Sequence, residues 1–154
     1  MTAAITLTLK NVRANAKLSE ETTCFSATLY ADGRKVAEVG KRGEGGPNFY
    51  HWAKPADAVT VAGYAAGLPR YAEYAPESLD VLVGDLLTRA EDLKWLAHHT
   101  KAKTLFMLEE SKPGNWHTVA APYTPAVKAF IHRKYAGKVK CIANDDIDAA
   151  VEFV

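Results

Sequence analysis

Cysteine is scarce in this chain. Cys24 and Cys141 are its only two, and neither stands in a CxxC pair or a metal-type Cys/His spacing. Nothing therefore points to a disulfide scaffold, a zinc ribbon or a dithiol redox centre. Both lie among apolar neighbours (TCFSATLY and VKCIA) and read as small buried hydrophobes of a reducing compartment. Two distant cysteines do not by themselves imply a disulfide. Long apolar runs are missing as well. MTAAITLTLK has neither the charged start nor the apolar stretch of a signal peptide, so a cytoplasmic protein with no membrane partner is expected. Net charge is only +1, which selects no class of partner, and any binding field must come from local clusters.

Catalytic signatures are also wanting. There is no GxSxG elbow, no GxxxxGK[ST] phosphate loop and no dinucleotide fingerprint. HxxxH and HExxH are absent, and His98 and His99 would point about 100° apart on a helix. Glu109-Glu110 and Asp145-Asp146 are adjacent pairs near strand ends, where neighbours face opposite sides; half of an acid/base pair and a solvated rim are both open readings. No metal site and no cofactor is expected.

What is present is the pattern of one folded domain spanning residues 1–154. Hydrophobic residues make up 48%, enough for a core without staples in a chain of 154 residues. Residues 4–13 alternate Ile5, Leu7, Leu9 against Thr6, Thr8, Lys10, the period of a half-buried strand. CFSATLY (24–30) repeats that period, Asp32-Gly33 marks a tight hairpin, and RKVAEVG (34–40) returns with Val36 and Val39 inward. Pro55 and Pro69 bracket a short helix with Asp57 as its N-cap. In 78–102, Leu79, Leu82, Val83, Leu86, Leu87, Ala90, Leu93 and Ala97 recur at helical spacing, supported by an Asp85–Arg89 pair. Strands follow at 104–110, 116–121 and 138–143. Between the last two lies a helix over 124–137, capped by Thr124 and packing Val127, Phe130, Ile131 and Tyr135 inward; Asp145 caps a final turn. Strands come as hairpins, so the expected class is α+β. The predicted form is a mostly antiparallel sheet of about five to six strands, covered by one long helix and two to three shorter ones.

Three features stand out as candidate contact surfaces. KRGEGGPNFYHW (41–52) sets Lys41 and Arg42 before a glycine loop, then Asn48 and four rings. Read as a recognition loop, Lys41 and Arg42 attract an anion, Asn48 and His51 hydrogen-bond, and Tyr50 and Trp52 give flat contact area. Read structurally, Phe49 and Trp52 roof the sheet. Trp95 lies about 160° from Leu79 on the helical wheel, so it is either on a second buried face or a partner anchor. Between Glu110 and Asp145 there is no acid, while Lys128, His132, Arg133, Lys134, Lys138 and Lys140 form a basic strip suited to nucleic acid or an acidic protein; the alternative is a solvated face.

The segments SEETTCFSATLYADGRKV and GEGGPNFYHW resemble a group of small bacteriophage and prophage accessory proteins. The likeness covers roughly residues 9–52, with a weaker echo in YTPAVKAFIHRKY. It implies context rather than chemistry: a non-enzymatic protein made in the bacterial host cell that binds a host or phage macromolecule, as an inhibitor of a defence system. The expected partner is a host or phage protein, engaged by a monomer or a homodimer. Two alternatives stand beside it: a nucleic-acid-binding protein using the basic strip, and a metal-dependent hydrolase using His51, His117 or Glu109.

Overall fold

The computed structural model describes residues 4–154, which fall into two compact units, residues 4–88 and 89–154. The first unit holds an antiparallel sheet of strands β1 (Leu7–Asn15), β2 (Cys24–Ala31), β3 (Arg34–Lys41) and β4 (Phe49–Trp52), in that order. Asp32 and Gly33 both take positive φ, the turn that a two-residue Asp-Gly hairpin requires. Register places Leu9, Leu29, Ala37 and Trp52 in one row across the sheet, and Ala27, Val39 and Tyr50 in the next. These rows form the inner face. Helix α1 (Pro55–Gly67) covers it with Val61 and Ala65, and the first half of α2 (Ser78–His99) with Leu79, Leu82, Val83 and Leu87. Leu29, Val36 and Val83 are completely buried, each stabilising the fold by about 1.5–3 kcal/mol relative to exposure.

A bulge in β1 decides what the other face carries. Lys10 pairs with Thr28 and Arg13 with Ser26, so one extra residue is accommodated between them, and Asn11 takes φ 55. In a regular strand Lys10 and Arg13 would face opposite sides. The bulge puts both outward and returns Val12 to the core beside Leu7 and Leu9.

In the second unit, β5 (Thr104–Leu108) lies between β6 (His117–Val119) and β7 (Val139–Ile142), antiparallel to both. Every residue of β5 is buried. Leu105 joins Leu96, Ala143, Ala150 and Val151, while Phe106 and Leu108 pack on Ile131 and Ile142. Helix α3 (Pro125–Lys134) starts at Thr124, whose hydroxyl accepts from Val127 N–H at 3.2 Å as expected, and α4 spans Ile147–Ala150.

The α+β class and the antiparallel pairing stand; a sheet of five to six strands does not. Among the described residues seven strands form two sheets, of four and three. Hydrophobic period identifies strands and tight turns identify hairpins, but β5 exchanges hydrogen bonds with β7 across a helix, and no local signal specifies that partner. Four local assignments also change. Asp57 is not a cap: Lys54 holds that position and Pro55 begins the helix. Asp85 pairs with Arg70 at 3.2 Å rather than with Arg89, which meets Glu152. Asp146, not Asp145, caps α4. Phe130 is exposed, because the buried stripe of α3 runs through Ile131 with Val127.

Candidate functional site

The outer face of the first sheet is open, and three rows of side chains cross it. Thr8, Tyr30 and Lys35 form one; Lys10, Thr28, Glu38 and His51 the second; Arg13, Ser26, Gly40 and Phe49 the third. Glu38 is the single carboxylate in these rows, and Lys35 holds it at 3.0 Å, lowering its pKa, with His51 adding a smaller effect. Lys10 lies over the Tyr30 ring at 4.6 Å.

The third row is a trough. Ser26 is its floor, with Arg13 at one end and, at the other, Phe49, whose ring covers Gly40. Gly40 is glycine for a reason of space: a methyl there would lie 2.6 Å from Phe49 Cζ and 2.8 Å from the Phe25 carbonyl oxygen. The phenyl ring therefore lies against bare backbone, and Phe49 remains 44% exposed. An aromatic ring so placed on a polar sheet face offers flat apolar contact area.

Beside Phe49 the surface dips into a depression of about 620 Å³. Arg13, Lys17, Lys41 and Arg42 line it, Lys41 from the register row of Phe25 at the end of the sheet, and no aspartate or glutamate does. Among the described residues none of these four cations forms an ion pair. Four unneutralised cations around one concave surface raise its potential and attract an anion. A second depression of about 500 Å³, also bordered by Phe49, is lined by Arg42, Glu44, Gly45, Pro47 and His51.

The glycine loop shapes this rim from within. Gly43 (φ 90) directs its carbonyl at the loop between β1 and β2, where it accepts from Glu20, Glu21 and Thr22 N–H at 3.0, 2.9 and 3.2 Å. A side chain at Gly43 would stand 2.1 Å from the Leu18 carbonyl oxygen. Gly45 (φ 82) donates its N–H to Thr22 Oγ1 at 3.2 Å. The close approach that glycine permits is here made to the protein's own chain, and it fixes Arg42 at the mouth of the depression.

The candidate residues of 41–52 divide by strand period. Phe49 and His51 point outward, with ring centroids 5.8 Å apart. Tyr50 and Trp52 point inward, stack at 5.3 Å and pack on the core. The Tyr50 hydroxyl donates to Asp80 Oδ1 at 2.5 Å, and Asn48 donates its backbone N–H to Asp80 Oδ2 at 3.1 Å and its amide N–H to Tyr50 Oη at 3.2 Å. Burial, then the bond to Asp80, raises the Tyr50 phenol above its ordinary range. Asn48 and Tyr50 thus pin β4 to the first turn of α2. No protein-family model, curated protein or solved structure matches this chain.

The remaining candidates lie in the second unit. Trp95 is exposed, with His99 at 4.3 Å between ring centroids. Of the basic strip, Lys128 pairs with Asp145 at 3.3 Å, Lys134 lies over the Phe130 and Tyr135 rings at 5.8 and 5.4 Å, and Lys140 over Phe153 at 4.5 Å. His132, Arg133 and Lys138 are exposed. His117 stacks on Phe106 at 5.3 Å, and its Nε2 lies 3.4 Å from Ser111 Oγ, which already accepts from Leu108 N–H. Glu109 is exposed, and among the described residues no three His, Cys, Asp or Glu side chains converge as a metal site requires.

Arg13 and Lys17 carry no sequence signal of a contact surface, and for Phe49 the sequence leaves the interior and the surface both open. The bulge that turns Arg13 outward is present in outline. Asn11 tolerates positive φ, and a bulge there explains an apolar pattern that steps from Leu9 to Val12 rather than to position 11.

Proposed function

We propose that this is a non-enzymatic binding protein that engages an anionic macromolecule through the outer face of its β1–β4 sheet. One observation carries the reading: a depression bordered by Arg13, Lys17, Lys41 and Arg42, free of carboxylates, opens beside the exposed ring of Phe49. Charge supplies attraction and orientation, and the ring supplies contact area. Membership of a phage accessory family, and a role against a host defence, belong to this reading as context; the resemblance of residues 9–52 is what supports them.

Retention on immobilised heparin, a generic polyanion, tests the reading. The protein is retained, and Arg13→Glu with Arg42→Glu elutes at distinctly lower salt. Lys134→Glu with Lys138→Glu, on the basic strip, changes elution less. The reversed order moves the site to the strip, and no retention at all removes the reading.

A further inference from the structure

Three surface features lie apart from one another in chemistry: the exposed Trp95–His99 pair, the hollow beside Trp116 and His117, and the trough of the first sheet. Trp95 and His99 carry no charge pattern that names a partner. The hollow of about 650 Å³ beside Trp116 is lined by Glu110 and Lys112 together, so its charge is mixed. The trough combines a ring, a small floor residue and one sign of charge.

We infer that the trough takes a single-stranded stretch of nucleic acid, with a base stacked on Phe49 and its phosphates among Arg13, Lys17, Lys41 and Arg42. The inference rests on the polyanion reading above and names its partner. Three features favour it. The Phe49 ring lies against Gly40 and stays 44% exposed, and a flat exposed ring is a platform for another flat ring. Ser26, small and exposed, leaves the floor beside the ring low, so a base can lie there without meeting a branched side chain. Arg13, Lys17, Lys41 and Arg42 line the depression that borders the ring, and a backbone running past a stacked base needs cations beside it. In a duplex the bases already stack on each other, and a four-stranded sheet face is too broad and shallow to enter a groove. An acidic peptide satisfies the cations but leaves the ring without a planar partner.

Fluorescence anisotropy with a labelled thymidine oligomer of roughly twelve nucleotides tests this. Its matched duplex and a polyglutamate peptide of similar charge serve as competitors. The single strand binds best. Its affinity falls with salt, with a slope approaching about −3 in log–log form, four phosphate contacts at about −0.7 each. Phe49→Ala weakens binding about 5- to 150-fold at an unchanged slope. Phe49→Trp retains it. Arg42→Gln lowers the slope by about 0.7. Melting curves confirm that each variant is folded; if Phe49→Ala is not, the Trp and Gln variants decide. Equal affinity for the duplex, or binding indifferent to Phe49 in a folded variant, overturns the inference. Polyglutamate bound in preference to the oligomer assigns the trough to an acidic protein instead. Heparin retention that depends on Arg13 and Arg42, without oligomer binding, removes this inference alone. Loss of both removes the polyanion reading too.

Discussion

Gly43 is the residue on which the rim of the site depends. Its positive φ and the nearby Leu18 carbonyl leave no room for a Cβ, and its own carbonyl satisfies three consecutive N–H groups. Gly43→Ala is expected to destabilise the protein by more than about 1 kcal/mol in urea unfolding, and to weaken heparin retention by displacing Arg42. Leu29 is the corresponding residue of the core, fully buried between β1 and β3; Leu29→Ala is expected to lower stability by about 2–5 kcal/mol by the same measurement. Gly43 was visible in the sequence as one of a glycine cluster, yet its purpose was not. A glycine run signals that backbone comes close to something, and only tertiary structure says whether that is a ligand or the loop before β2.

At the level of elements, β4 is the strand that builds the site. It is four residues long, follows a loop with glycine and proline, and is held by Ala37, Glu38, Val39 and Gly40 of β3 on one side. The Asn48–Tyr50–Asp80 network ties it to α2 on the inner side. Tyr50→Phe removes two of these bonds and is expected to cost about 1–2 kcal/mol. The same network sets an alkaline limit. Folding raises the Tyr50 phenol above its ordinary 10.0, through burial first and the Asp80 bond second, so the folded state keeps a proton that the unfolded chain releases. That stability is complete below about pH 10 and declines as pH rises beyond it. Tyr50→Phe flattens this decline, as thermal melts across alkaline pH will read. The β1–β3 meander, the long helix and the α3 cap were legible in the sequence because period, Asp-Gly and Thr-x-x spacing are local. β4 was not, since four consecutive rings hide the alternation in which Phe49 and His51 face out while Tyr50 and Trp52 face in. The bulge at Asn11 was hidden too, so Arg13 fell outside the predicted surface.

For the whole molecule, nineteen basic and eighteen acidic side chains nearly cancel, so attraction for a polyanion has to come from their placement. In the second unit, Lys128, Lys134 and Lys140 lie against a carboxylate or aromatic rings. In the first, Arg13, Lys17, Lys41 and Arg42 line a depression that holds no carboxylate. Among the described residues no helix is long and apolar enough to cross a membrane. Binding should therefore weaken steeply with salt even though net charge is near zero, and Arg13→Glu should reduce it more than a charge reversal at Lys134. Backbone amide spectra recorded while a heparin oligosaccharide is added locate the contact directly. The changes are expected at residues 10–17, 24–28, 38–42 and 49–51; changes confined to 128–140, or none anywhere, would contradict a binding face on the outer side of the first sheet.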